Sequence, residues 1–118
     1  MALNDRRVQD WSVVEADNPI ALLTRQKVEG HNMLVVMVRL DKGCHVAVHH
    51  HESEQFACVI SGRVTWTLGE DGEKVEVVGG QIVHLPPHFP HGVDADEDSV
   101  ILDILAPVGA MGVDSQNQ

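Results

Sequence analysis

The chain has no tyrosine, two phenylalanines and two tryptophans in 118 residues. Its core must therefore be aliphatic. Basic residues are also scarce. Eight Lys and Arg stand against eighteen Asp and Glu, a formal charge of −10 and a pI near 5.0. Such a surface repels phosphate backbones and anionic lipid, so neither nucleic acid nor membrane is an expected partner. Cysteine is nearly absent: Cys44 and Cys58 form no metal-type spacing and no disulfide framework, and are read as buried, reduced thiols. No apolar run approaches the roughly 18–20 residues of a membrane helix. Met1 to Arg7 has no apolar signal core behind it. The expectation is a cytoplasmic protein.

What is present points to strands. Hydrophobic residues make up 43% of the chain and valine leads them, which favours a pleated, half-buried backbone. Ten glycines and five prolines supply the turns. The length suits one domain, 1–118. Residues 1–18 read as an N-terminal arm or edge strand, and 108–118 as a loose C-terminal tail. Between them, strands are expected at 20–28, 33–40, 44–50, 55–61, 63–68, 74–78, 81–85 and 99–105. Asp71-Gly72 marks a hairpin turn and Pro86-Pro87 a stop. No segment carries a helical repeat. Eight to ten short strands imply an all-β fold, a sandwich or barrel, and a double-stranded jelly roll suits the size. Its mouth offers a cavity where residues from distant strands converge.

Histidine, at eight residues, is plentiful. His49 and His51 are two apart, and on a strand that spacing puts both on one face. With Gln55 close behind they resemble three-quarters of a metal site, and His91, in Pro86-Pro87-His88-Phe89-Pro90-His91, is the best candidate for the fourth ligand. By the same parity His45 and Ala47 share the face of His49, and His50 points away. Asp103 stands in the apolar run Val100-Ile101-Leu102-Asp103-Ile104-Leu105, where a carboxylate is costly unless partnered or facing a polar cavity. It is the candidate general base, with a structural pairing to Arg39 as the alternative. His84 is a further candidate for the pocket wall, while Trp66 is assigned to the core or a dimer interface.

The spacing then identifies a resemblance. Gly43, five residues, His49, one residue, His51, three residues, Gln55, six residues, Gly62 is followed by Gly80, five residues, Pro86, four residues, His91. This is similar to the two motifs of the cupin superfamily over about residues 33–106. Gln55 stands where the family usually has Glu, His88 where it has Gly, and Ala95 where it has Asn. The resemblance implies a jelly-roll barrel, a homodimer, and a divalent transition metal (Ni, Fe, Mn or Zn) held by His49, His51, Gln55 and His91. Three imidazoles and an amide are all neutral, so the ion keeps its full charge. That suits Lewis-acid work on a small anionic molecule better than two-His-one-carboxylate oxygen chemistry.

The set of His, His, Gln, His and the later Asp103 looks like the small cupins of pectin degradation, which convert unsaturated uronates. In those an Arg follows the Asp by a few residues, whereas Pro107 to Met111 contains none. The expected function is isomerase or lyase chemistry on a small, possibly sugar-acid, substrate. The alternatives are a cupin dioxygenase and a non-catalytic metal-containing module that binds or senses a small ligand.

Overall fold

The computed structural model describes residues 7–116. Ten strands form two antiparallel sheets. They are β1 (Ala16–Asp17), β2 (Leu23–Glu29), β3 (Leu34–Leu40), β4 (His45–His49), β5 (Glu54–Ser61), β6 (Arg63–Leu68), β7 (Glu73–Val78), β8 (Ile82–Leu85), β9 (His91–Ala95) and β10 (Ser99–Ala106). One sheet runs β1-β2-β3-β10-β5-β8, the other β4-β9-β6-β7. Short 3-10 turns at Trp11–Val13 and Gly112–Ser115 lie outside the sheets.

Alternation decides which side of each strand is buried. On β10, Ser99, Ile101, Asp103 and Leu105 point inward and Val100, Leu102 and Ile104 outward. β3 alternates in the same way, burying Leu34, Val36, Val38 and Leu40. Facing them from the smaller sheet are Val46, Val64, Trp66 and Val93. Each fully buried Val or Leu contributes roughly 1.5–3 kcal/mol of burial free energy. The aliphatic core expected from the composition is thus formed, with Trp66 as its one large ring. Trp66 also lines the cavity described below, a role the sequence reading had given to neither Trp.

Three local readings change. β2 starts at Leu23 rather than Ile20, because Ala21 and Leu22 form a turn with Leu22 at a φ of 65°. β4 ends at His49, so His51 lies just beyond the strand. Within β4 the parity argument also fails. Val46 pairs with Val93 and His49 with His91, so Ala47 and Val48 together oppose Gly92 in a β-bulge. The extra residue turns His49 to the side of Val46 and leaves His45 exposed. Gly92 permits this: a Cβ there would lie 2.8 Å from the Val46 carbonyl oxygen and 3.0 Å from the Val48 nitrogen.

The C-terminal segment is not the loose tail expected. Val113 is buried in the core, and the 3-10 turn packs beside β4. Gln116 pairs with Ala47 through both amide atoms, accepting from its N–H (2.9 Å) and donating to its carbonyl (3.0 Å). The segment caps the barrel mouth because the bulge frees the polar atoms of Ala47 for that side chain. At the other end, β1 is a two-residue edge strand paired with β2, one of the two readings of the N-terminal region. Residues 1–6 and 117–118 of the arm and tail lie outside the described residues.

Candidate metal centre

The bulge brings His49 and His91 directly opposite each other across β4 and β9. Their ring centroids are 4.3 Å apart, and His51 stands 4.9 Å from His91 and 5.7 Å from His49. One ring nitrogen of each histidine lies within 4.8 Å of one from both others. Two residues expected to act together from one strand and one from a distant loop therefore do meet, although His51 arrives from a turn.

Hydrogen bonding fixes which nitrogen faces inward. His49 Nδ1 lies 2.8 Å from the Ala47 carbonyl, His51 Nδ1 2.9 Å from that of Ser53, and His91 Nδ1 2.7 Å from that of Phe89. A carbonyl oxygen only accepts, so each Nδ1 carries the proton and each Nε2 presents a lone pair. This carbonyl backing of the outer nitrogen is how metal-ligating imidazoles are oriented. Burial pushes the His91 imidazole down to about 4, the neighbouring His49 and His51 adding to the effect, and burial lowers His49 as well. Both rings are therefore neutral at pH 7, the ligating form.

Gln55 lies beside the cluster. Only 5% exposed, it places Oε1 3.1 Å from His51 Nε2 and donates from Nε2 to Asp103 Oδ1 at 2.8 Å. With the His51 proton spent on Ser53, two lone pairs face each other across that 3.1 Å gap. His91 Nε2 is buried without any hydrogen-bond partner. A buried acceptor left unpaired costs about 1–3 kcal/mol. Lone pairs converging from His49, His51, His91 and Gln55 fit a divalent cation.

Asp103 is 6% exposed and lines the same cavity, which has a volume of about 50 Å³. Burial pushes its carboxyl up to about 7, against the Gln55 hydrogen bond, which opposes the rise. It does not pair with Arg39. That side chain is exposed and donates to Gln26 Oε1, because its parity on β3 directs it outward. The arginine of this cavity is Arg25, 3% exposed on β2. The sequence carried one signal for it: Arg25 shares its parity with buried Leu23 in β2.

The remaining histidines lie elsewhere. His45 is exposed and bonded to Asp94 (2.6 Å), and His50 and His88 are exposed near each other. His84 does not line the pocket. Its strand parity turns it outward, where it stacks on Phe56 and meets Glu54 at 2.7 Å. Cys44 and Cys58 are both free; burial raises each thiol, Cys44 to about 11. The cap adds residues that sequence reasoning missed. Gln116 reaches 3.2 Å from His49 Nδ1, and Gly112 lies so close to His49 that a Cβ would overlap its ring.

Two antiparallel sheets closed around a three-histidine cluster define a metal-binding double-stranded β-helix protein. The chain belongs to the cupin domain family, whose sequence profile matches residues 36–105. Among solved structures it is similar to an RmlC-like cupin from Shewanella frigidimarina at 25% identity and a TM-score of 0.78, with 85% of this chain and 89% of that one covered. It is similar also to KdgF from a Halomonas species, at 26% identity and a TM-score of 0.74 over 80% of this chain and 89% of that one. Bacillus subtilis oxalate decarboxylase shares the fold at 21% identity and a TM-score of 0.74; the match covers 85% of this chain and 29% of that longer protein.

Proposed function

We propose that this cupin is a metal-dependent enzyme performing isomerase- or lyase-type proton transfer on a small anionic substrate of the sugar-acid class. The observation that carries the reading is Asp103, a buried carboxyl tied to the metal-facing amide and lining the metal cavity. A divalent ion held by His49, His51, His91 and Gln55 would supply a Lewis acid that polarises a bound hydroxyl or carbonyl.

The chain's own residues do the rest. Gln55 accepts no charge of its own and holds Asp103 by Oδ1, which leaves Oδ2 without a partner among the described residues. Oδ2 takes a proton from the polarised substrate and returns it at a neighbouring atom. A carboxyl poised near neutrality suits both directions of that transfer. Val46, Trp66 and Ile101 wall the cavity with apolar surface and thin out competing water. The resemblance of the ligand set to unsaturated-uronate cupins, with the likeness to KdgF, makes an unsaturated uronate the first substrate to try.

With metal-loaded protein, the absorbance of the unsaturated sugar is expected to fall faster than it does spontaneously. Asp103→Asn should slow this by on the order of 10²-fold or more, the usual share of a positioned acid–base group. An Asp103→Asn variant as fast as wild type would remove the assignment. Binding of the sugar without turnover would favour the sensing module instead.

A further inference from the structure

Among the described residues, Arg25 is the only permanently cationic side chain lining the metal cavity, and it is 3% exposed. A guanidinium has five N–H donors and no acceptor. Three of them are spent on carboxylates. Nε donates to Asp17 Oδ1 at 3.0 Å, Nη2 to Asp17 Oδ2 at 2.8 Å, and Nη2 also meets Asp114 Oδ1 at 2.9 Å. The two donors on Nη1 have one partner among the described residues, the thioether sulfur of Met111 at 3.7 Å. A thioether is a weak acceptor, so a buried, permanently charged edge is left nearly unsatisfied. Met111 itself lines the cavity and belongs to the C-terminal cap.

A second buried donor lacks a partner. Trp66, another lining residue, has its Nε1 buried with no hydrogen-bond partner among the described residues. The guanidinium edge at Nη1 thus lacks a strong acceptor, which a carboxylate oxygen of a ligand would supply. Asp17 and Asp114 engage Nε and Nη2 and leave Nη1 without a carboxylate partner among the described residues.

We propose that Arg25 docks the carboxylate of the substrate through Nη1, with Asp17 and Asp114 fixing the guanidinium and the Met111 side chain swinging aside. This deepens the sugar-acid reading of the same cavity and rests on it. It also supplies from β2 the cation that the segment Pro107 to Met111 does not contain. Arg25 is here a specificity-determining residue, while Asp17 and Asp114 are positioning residues.

The test is calorimetric and needs no turnover. Nickel-loaded full-length chain is titrated with galacturonate and with its methyl ester, in which a neutral, slightly larger group replaces the carboxylate. Wild type should prefer the acid by on the order of tenfold or more, the usual effect of a hydrogen bond to a charged group. Arg25→Gln should erase that preference at unchanged nickel content. Met111→Glu, which offers Nη1 an internal carboxylate and leaves Arg25 in place, should erase it too, and decides the matter if Arg25→Gln does not fold. Equal or absent binding of acid and ester by wild type, or an acid preference retained in the folded variants, overturns the proposal. Turnover of the unsaturated uronate is scored separately. Turnover without acid preference sinks Arg25 and keeps the reaction, whereas an Arg25-dependent preference without turnover does the reverse.

Discussion

Gln55 does most to set the character of the site. Its oxygen faces His51 Nε2 and its nitrogen serves Asp103, so one neutral amide joins the ligand set to the acid–base group. Gln55→Glu tests this. A carboxylate there loses the donor to Asp103 and sets two buried acids side by side, so one must keep its proton. The metal-free variant should be less stable than wild type by about 1–3 kcal/mol, the cost of an unsatisfied buried group. The metal-loaded variant should recover that loss and hold its ion at least about tenfold more tightly, since opposite charges attract at short range. Thermal melts with and without metal, and competition with a chelator, read both effects. Equal metal affinity in the two proteins would show that Gln55 does not reach the ion. The residues His49, His51, Gln55, His91 and Asp103 were all legible in the sequence, because motif spacing and a polar interruption of an apolar run survive without coordinates. Arg25 was not. Its signal was the parity of one arginine in a strand of mixed polarity, and Arg39, which ends a far more apolar strand, drew attention away from it.

The elements follow the hydrophobic alternation closely where strands are regular and depart from it where they are not. Aliphatic β3 and β10 read directly from the sequence. The bulge in β4 did not, because an extra residue in one strand is decided by the partner strand's glycine, here Gly92, some forty residues away along the chain. The cap was hidden for a related reason. Val108 to Gln116 has no periodicity, and its order comes from tertiary partners: Val113 in the core, Asp114 on Arg25, Gln116 on Ala47. Gly112→Ala probes that fit. The added methyl meets the His49 ring, so either the turn lifts or the ring tilts away from its neighbours. Overpacking of this kind costs about 1–3 kcal/mol. Thermal unfolding should register that loss, and nickel affinity should fall by roughly tenfold or more as the ligand geometry loosens. A variant with wild-type stability and metal affinity would mean that the cap does not brace His49.

At the scale of the molecule, charge is unevenly spread. The acidic runs Glu70–Glu73 and Asp94–Asp98 sit on loops and strands of the smaller sheet, whereas the outer face of the larger sheet carries Phe56, Ile60 and Ile82 at 45%, 54% and 64% exposure. Leu102 and Ile104 on β10 and Met37 on β3 continue this face, half-buried. Two chains of net charge −10 repel each other except where such a face is apolar. We propose that a second copy covers it, with the two larger sheets face to face. Light scattering should give twice the chain mass of 12.9 kDa, and Ile82→Glu should return the chain to that mass. A wild-type protein already at 12.9 kDa excludes the dimer. No helix among the described residues is long and apolar enough to cross a membrane.

The position of β10 has a consequence for how the chain reaches its native state. It lies between β3 and β5, pairing Leu105 with both Leu34 and Gln55. The central strand of the larger sheet is therefore the last one in the chain, and the sheet cannot close over its core until that strand arrives. Such non-local pairing makes folding slow relative to hairpin formation. Asp103 travels on this strand, and its hydrogen bond to Gln55 forms only when β10 inserts. The pairing of β4 with β9, which sets His49 opposite His91, spans a similar length of chain. Both halves of the chemistry thus wait on non-local contacts, and the site becomes competent only when the two sheets have closed.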